Sequence, residues 1–395
     1  MAFGILEPKE SPGVHVPGTV LLDVGETSDE RNIELVAAGL KKGSGKNSEV
    51  ILVPQPSRNP NDPLNWPLWQ RDMILVIYCF CTLACVGGGG PVLSSMAIPL
   101  ITEFRLSFQQ VSLLSGYQLC AVGAIGLLIS ACARKYGRRP TLLFSISSCF
   151  AGSLWMGFAQ SYGSMVGARV VQGLGIAMFE SVTYSIVGDL YHVHQRGTRM
   201  TFYIMCQSGI GQLPALIAGK VTTDLGWRWV FYLLSIFLGM GVVFSFLFAW
   251  ETLYNRNNAY NLDTASHDKL EEIADKTATH EVEHIERTTV VSTEGQVPRE
   301  SFLRRLLPFH GTFTEEPLWQ LVIHPFYVLL NPIITWVVLI VAFTTVWIIL
   351  IAFVIAQAFY GPPYFLTIAE QGYMLAGPRT YKFPRVLFEG PGVGI

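Results

Sequence analysis

Residues 73–102 read MILVIYCFCTLACVGGGGPVLSSMAIPLIT and contain no Asp, Glu, Lys or Arg. About 20 apolar residues suffice to cross a bilayer as a helix, so this stretch predicts a membrane span. Six further runs are uncharged or nearly so, at 107–133, 141–159, 164–187, 200–219, 230–250 and 332–359. The sequence therefore predicts an all-α integral membrane protein with seven spans.

The composition of the 395-residue chain agrees with this fold class, because 50% of it is hydrophobic and only 14% is charged. A soluble domain carries about 25% charged residues, so a single soluble globule is disfavoured. The net charge of −2 gives no reason to expect a nucleic-acid partner. The seven Cys lie in or next to apolar runs without CxxC spacing, which predicts neither a disulfide framework nor a metal site. No cofactor motif or catalytic constellation is present, so we do not expect an enzyme.

Lys and Arg in the short loops predict the orientation in the membrane. The loops after the second and fourth runs share six basic residues, Arg134, Lys135, Arg138, Arg139, Arg196 and Arg199. The loops on the opposite side hold three, Arg105, Lys220 and Arg228. The bias predicts a multi-pass protein, expected in the plasma membrane, with its N-terminus and residues 251–331 in the cytoplasm.

Polarity divides the chain into five segments. They are a largely disordered cytoplasmic tail (1–70), an N-terminal bundle of six spans (71–250), a cytoplasmic central loop with short amphipathic helices (251–331), the seventh span with the start of an eighth (332–377), and an aberrant tail (378–395).

The first span contains a predicted helix break made of Gly87, Gly88, Gly89, Gly90 and Pro91. Each Gly costs about 1 kcal/mol relative to Ala in a helix, and Pro costs about 3 kcal/mol. Two interpretations stay open. The break fits a helix that lines a cavity and bends during a transport cycle, or it is a tolerated kink.

The fourth span carries ionisable residues within the membrane, Arg169 and Glu180. A helix turns about 100° per residue, so their spacing places both on one face, together with Gln172 and Tyr184. One hypothesis is a polar substrate and proton pathway in which Glu180 is a protonatable or cation-binding carboxylate. The alternative is that each charge pairs with a neighbouring helix and only holds the bundle together.

Two motifs resemble signatures of the major facilitator superfamily. Residues 130–139 (SACARKYGRR) are similar to the loop signature Gly-x-Leu-Ala-Asp-Arg-x-Gly-Arg-Arg. Lys135, Gly137, Arg138 and Arg139 match it, whereas Arg134 stands in place of the Asp that helps to latch the two halves of these proteins. Residues 169–175 (RVVQGLG) resemble the Arg-x-x-Gln-Gly-x-Gly motif that the family associates with proton coupling.

Four further segments resemble fungal drug:proton antiporters, a group that includes polyamine and organic-cation carriers. They are residues 61–67 (NDPLNWP), 188–199 (GDLYHVHQRGTR), 226–229 (GWRW) and 250–256 (WETLYNR). The resemblance implies a six-helix N-terminal bundle in a lipid bilayer and proton-coupled transport of a small organic molecule or cation. It also implies that Asp189, Arg196, Gly197 and Arg199 act with the matched loop residues as a conformational motif.

Family members have about 12 spans in two six-span halves. Here the apolar sequence that begins at 372–377 gives way to the polar residues 378–395. We therefore expect the chain to be incomplete as written, and poorly stable and inactive as a monomer. The alternative function is that of a truncated, non-transporting membrane protein with at most an interaction role.

The predicted topology is testable by cysteine-accessibility labelling in intact cells. We expect single cysteines placed at Ser164 and Thr367 to react with an impermeant reagent added outside. A cysteine at Ser266 is expected to react only after permeabilisation, because the positive loops lie inside. The opposite pattern at any two of these positions would overturn the assignment.

Overall fold

A computed structural model of the protein describes residues 54, 56–57, 59–89, 92–210, 213–254 and 301–360. The described residues form helices and no strand, which confirms the all-α fold class. The larger of two units contains the described residues of 67–190, 197–253 and 301–360. Most of the predicted N-terminal tail, the predicted loop at 255–300, the start of the eighth span and the aberrant tail lie outside the described residues.

Helices follow one another along the described chain with short connections. In order they are α1 (Leu68–Thr82), α2 (Val92–Ser95), α3 (Ala97–Phe104), α4 (Phe108–Lys135), α5 (Arg138–Phe158), α6 (Tyr162–Ser181), α7 (Thr183–Leu190), α8 (Val193–Ile204), α9 (Leu213–Leu225), α10 (Trp227–Phe248), α11 (Phe302–Arg305), α12 (Leu318–Val328) and α13 (Pro332–Tyr360). A π-helical turn, Leu83–Gly87, continues α1, and a second one, Met205–Gly209, continues α8.

Five of the described helical segments are long and apolar enough to cross a bilayer. They are Leu68–Gly87, Phe108–Lys135, Arg138–Phe158, Tyr162–Leu190 and Trp227–Phe248. A sixth is obtained if α12 and the start of α13, which meet at 91°, form one bent span. The predicted fifth span is divided between α8, its π-helical turn and α9, with residues 211–212 outside the described residues.

Helix α6 lies at the centre of the bundle, where it packs against both α4 and α5. Glycines allow these close approaches. A Cβ at Gly175 of α6 would overlap the carbonyl oxygen of Ser145 and lie 2.7 Å from the backbone nitrogen of Cys149, both on α5. A Cβ at Gly173 would lie 2.5 Å from the carbonyl oxygen of Gln118 on α4. Small residues at helix contacts drive association in lipid, where apolar burial supplies little.

Local sequence sets the starts of the central helices. Ser107 and Gln110 form a reciprocal capping box at the N-terminus of α4, and the Ser161 hydroxyl accepts from the backbone N–H of Ser164 at the start of α6. Gly226, with φ of 93°, precedes α10. Only glycine adopts such a backbone conformation without strain.

In the smaller unit, the Asn-Asp-Pro-Leu-Asn-Trp segment folds on itself around buried Asp62. The Asp62 carboxylate accepts from the backbone N–H groups of Ser57 and Leu64, both at 3.0 Å. The Asn65 side-chain amide donates to the carbonyl oxygens of Ser57 and Asn59 at 2.9 and 2.8 Å. These bonds explain the residue types, because Asp and Asn satisfy backbone groups that a tight turn leaves free.

Glu103, near the end of α3, joins this helix to the start of α10. Its carboxylate accepts from Trp227 Nε1 at 2.5 Å and from Arg228 Nη1 at 2.6 Å. The Arg228 guanidinium also lies over the Trp227 ring, 4.5 Å from its centroid. Burial raises the pKa of the Glu103 carboxyl, but the bonds from Trp227 and Arg228 and the charge of Arg228 outweigh it and hold this pKa below its usual range.

We expect Gly175→Ala to destabilise the bundle, because the new methyl group meets backbone atoms of α5 that cannot move aside. Overpacking of this kind costs about 1–3 kcal/mol. The matched control is Gly116→Ala on α4, where a Cβ meets nothing within 4 Å. Thermal unfolding of the purified chain in detergent should show a lowered Tm for Gly175→Ala alone. Equal Tm values for the two variants would contradict the packing argument.

The ion pair of Glu103 predicts a pH dependence of stability. A carboxyl with a depressed folded-state pKa adds stability at neutral pH, and loses it as the pH falls through that pKa. Both partners are more than one-third exposed, so the contribution is below about 1 kcal/mol. We expect Glu103→Gln to lower Tm at pH 7 and to reduce the further loss of Tm in acid. Asp224→Asn, which breaks the exposed pair with Lys220, serves as control. Parallel Tm-against-pH curves for wild type and Glu103→Gln would refute the prediction.

Candidate functional site

Arg169 of α6 is fully buried and bonds through one nitrogen to three acceptors. Its Nη1 donates to the carbonyl oxygen of Gly89 at 2.5 Å, to Gln172 Oε1 at 2.9 Å and to Gln118 Oε1 at 3.3 Å. The guanidinium carbon also lies 5.4 Å from the centroid of the Phe231 ring, a cation–π geometry. Among the described residues, Arg169 Nε and Nη2 have no hydrogen-bond partner.

Two glutamines extend this cluster across three helices. Gln118 Nε2 of α4 donates to Gln172 Oε1 at 3.1 Å, and Gln172 Nε2 of α6 donates to the Ser153 hydroxyl of α5 at 2.9 Å. All three side chains are buried. We name Arg169, Gln172, Gln118 and Ser153 the central polar cluster.

Sequence reasoning identified Arg169 and Gln172 but missed Gln118 and Ser153. The signal for Gln118 was a lone amide near the middle of a charge-free run, and Ser153 carried none beyond being polar in an apolar run.

The central polar cluster reaches the predicted break in the first span. Gly87 ends the π-helical turn and Gly88 and Gly89 are helical, so the described part of the predicted break is not broken. Gly90 and Pro91 lie outside the described residues, and a break there stays a prediction. A Cβ at Gly89 would lie 2.8 Å from Ile176 Cδ1 and 3.2 Å from Gln118 Nε2. A glycine here allows the backbone of the first span to approach Arg169.

Glu180 and Tyr184 lie apart from the central polar cluster. Glu180 is exposed and makes no hydrogen bond or ion pair with the described residues. The Tyr184 hydroxyl donates to Gln207 Oε1, and its ring meets that of Tyr203 edge to face at 5.3 Å. The four residues predicted for the pathway therefore fall into two places, a buried cationic one around Arg169 and an exposed carboxylate beside an aromatic pair.

The basic loop signature forms a second charged network at the start of α5. Arg138 Nη2 lies 3.1 Å from Asp189 Oδ2 in an ion pair. The Glu251 carboxylate accepts from the backbone N–H groups of Arg138 at 2.9 Å and Arg139 at 3.1 Å. Gly137 has φ of 108°, and a Cβ there would overlap Glu251. Glycine at this position therefore permits both the turn and the carboxylate cap.

Arg139 is buried and ties the end of α10 to the same network. Its guanidinium donates to the carbonyl oxygens of Ala249, Phe246 and Leu306, the latter two at 2.7 and 3.1 Å. Lys135 Nζ donates to the carbonyl oxygen of Glu316 at 2.9 Å. The structure thus joins Lys135, Gly137, Arg138, Arg139 and Asp189 in one region, and their action as a conformational motif stays a prediction.

The remaining residues of that motif lie elsewhere. Arg199 pairs with Asp72 at 3.6 Å. In the smaller unit, Arg196 Nε donates to the carbonyl oxygen of Tyr191 at 2.9 Å. In the larger unit, a Cβ at Gly197 would meet nothing within 4 Å.

Glu251 is a residue of this network that sequence reasoning did not single out, although it lies in the quoted segment 250–256. The only available signal was an acidic residue directly after the last apolar residue of a span.

No group of three or more His, Cys, Asp or Glu in the described ranges is arranged to hold a metal ion. The described residues therefore offer two candidate functional features. One is a buried cation that bonds to the backbone of the first span, and the other is a charged network that links helix ends.

Several known proteins resemble this chain. It is 29% identical over 212 residues to a protein of Schizosaccharomyces pombe described as an uncharacterized MFS-type transporter, covering 53% of this chain and 36% of the relative. It is 28% identical over 247 residues to Protein HOL1 of Saccharomyces cerevisiae, covering 62% and 41%. It is 24% identical over 235 residues to Multidrug transporter QDR2 of Candida glabrata, covering 58% and 40%.

The alignments thus cover 36–41% of the length of these relatives. A sequence model of the Major Facilitator Superfamily matches residues 78–378, more than half of the chain. Together with the membrane-spanning helices and the charged loop network, this match shows that the chain belongs to the Major Facilitator Superfamily of membrane transporters.

Proposed function

We propose that this chain supplies part of the substrate and proton pathway of a secondary transporter that moves a small organic molecule or organic cation in exchange for protons. The observation that carries the proposal is the central polar cluster, in which a buried guanidinium bonds to the backbone of the first span at Gly89, within the predicted break. Interrupted helices mark the binding region of many secondary transporters, and the Gly and Pro residues at 87–91 predict such an interruption.

A buried ion is costly unless it is fully paired, and the penalty for an uncompensated charge reaches several kcal/mol. Arg169 has only neutral oxygen partners among the described residues, and its Nε and Nη2 have none there. An arginine in this condition gains free energy when an anion or polar group comes within reach. This supports a cluster that changes partners during a transport cycle.

Glu180 supports the second part of the proposal. A carboxylate in the middle of a membrane helix costs several kcal/mol if it faces hydrocarbon while charged. Glu180 is exposed, and a carboxylate in this position has two ways to avoid the cost, which are binding a cation and binding a proton. These are mutually exclusive at one carboxylate, and exclusion of this kind is the chemical basis of exchange between a proton and an organic cation.

The relatives support transport of a small organic molecule, since one of them is named as a multidrug transporter. The proposed setting is the plasma membrane, with the N-terminus and the charged loop network on the cytoplasmic side. In this arrangement the charged network of Arg138, Asp189 and Glu251 holds helix ends together on the cytoplasmic side. The first span bends at its predicted break while these ends stay in place.

The proposal is tested in a chimera in which residues 71–250 replace the aligned segment of the Saccharomyces cerevisiae relative. We expect proteoliposomes of this chimera to accumulate radiolabelled spermidine when a pH gradient is imposed, and to take up uncharged sorbitol no faster than empty liposomes do. Glu180→Gln should abolish the accumulation that the gradient drives, because the amide neither binds a proton in this pH range nor attracts a cation.

The matched control is Asp224→Asn, which removes an exposed carboxylate far along the chain from the predicted pathway. It should leave the pH profile unchanged. A Glu180→Gln chimera that transports spermidine with the pH profile of the parent would refute the role of this carboxylate.

A further inference from the structure

An apolar cavity of about 270 Å³ lies in the larger unit between the first span, α9 and α10. It lies next to the predicted break in the first span, since Gly88 and Val92 are among the residues that line it. The neighbouring residue, Gly89, accepts a hydrogen bond from Arg169 of the central polar cluster. The cavity is therefore a separate feature from the site described above.

The lining residues recur at helical spacing along each wall, so the cavity is elongated parallel to the helices. In the first span they include Phe80, Ala84 and Gly88, which lie one turn apart on the helical residues 68–89. On α10 they extend from Val230 to Phe237, a length of about 10 Å at 1.5 Å per residue. A groove of this shape fits an extended chain better than a compact molecule.

The chemistry of the lining excludes polar occupants. The side chains on all three walls are aliphatic or phenyl groups, with Pro214 the sole imino acid. A water molecule needs two to four polar partners, and apolar cavities of about 150 Å³ stay dry and bind apolar molecules instead. A polar solute would lose its hydrogen bonds here at a cost of several kcal/mol.

The rim shows where an occupant enters. Leu213 and Ile217 of α9 and Phe237 of α10 line the cavity and are also exposed, Ile217 to 62%. Helix α10 is long and apolar enough to cross a bilayer, and its exposed apolar side chains are suited to contact with hydrocarbon. The cavity opens through these residues toward the acyl chains of the bilayer.

We propose that this cavity binds one acyl chain of a membrane phospholipid, which enters laterally between α9 and α10 and lies along the first span. The occupant is an aliphatic chain because the walls offer only dispersion contacts, the groove is elongated and the rim is continuous with the lipid-facing surface.

The test uses the full chain in nanodiscs of phosphatidylcholine that carries a diazirine near the end of one acyl chain. Light expels nitrogen from the diazirine, and the resulting carbene inserts into a neighbouring C–H bond. We expect adducts on Ala84, Ala218 and Leu234, which are buried side chains that bulk lipid does not reach. Exposed Phe144 and Trp155 on α5 report ordinary lipid contact.

Filling the cavity should remove these adducts. Ala218→Phe places a ring in the groove and is expected to reduce labelling of Ala84 and Leu234 several-fold while labelling of Phe144 is unchanged. The matched control is Ala151→Phe, at an exposed position of α5, which should alter neither. Gel filtration and thermal unfolding verify that each variant is folded, and Val230→Phe replaces Ala218→Phe if the latter is not.

Three results would overturn the proposal. The first is labelling of Phe144 and Trp155 without labelling of the buried cavity residues. The second is labelling of those residues that a folded cavity-filling variant leaves undiminished. The third is a disulfide-linked dimer of an Ile217→Cys variant that forms in high yield while the acyl-chain adducts are absent, because it would identify a second copy of the chain as the occupant.

Discussion

The hydrogen bond from Arg169 to the carbonyl oxygen of Gly89 is the contact on which the arrangement of the bundle depends. A membrane helix satisfies its backbone groups internally, so a side chain that also bonds to its backbone ties it to another helix. Arg169 makes such a bond to Gly89 at 2.5 Å, and the same nitrogen contacts Gln118 and Gln172. The first, second and fourth spans are thereby fastened at one buried atom, and small residues at 89 and 173 allow the helices to come that close.

The charged network solves a different problem, which is the unsatisfied groups at helix ends. The N-terminus of α5 presents free N–H groups and the C-terminus of α10 presents free carbonyl oxygens. Glu251, just beyond α10, accepts from the start of α5, while Arg139, at the start of α5, donates to the end of α10. Each helix therefore provides the charge that the other helix end requires, in the sense that the helix dipole favours. The exchange fixes this pair of helices to each other without any contribution from the bilayer.

Much of this fold could be predicted from the sequence because the strongest signal, the absence of charge over 20 residues or more, does not depend on tertiary contacts. The hydrogen-bond partners of Arg169 could not be predicted in this way. Its i, i+3 neighbour Gln172 follows from helical periodicity, whereas Gln118 and Ser153 depend on how far α4 and α5 are rotated about their axes. That rotation is set by packing at Gly173 and Gly175.

Glu180 illustrates the same limit from the other side. Its spacing from Arg169 predicts a shared face, and an ideal helix would place both there. What differs is the surroundings, because the described neighbours bury Arg169 but leave Glu180 exposed, although Phe179 beside it is fully buried. Periodicity gives the direction of a side chain but not what lies in that direction.

Adjacent glycines in the first span connect the two environments that flank it. Gly89 faces Ile176 and Gln118 on the side of the central polar cluster, and Gly88 faces Leu234 on the side of the apolar cavity. The backbone between them is held from one side by a charged hydrogen bond and from the other by dispersion contacts. A displacement of this segment toward the cavity must lengthen the bond from Arg169, and a displacement toward Arg169 must enlarge the cavity. The position of this segment is therefore set by contacts on two opposite sides, with Leu234 at Gly88 and with Ile176 and Gln118 at Gly89.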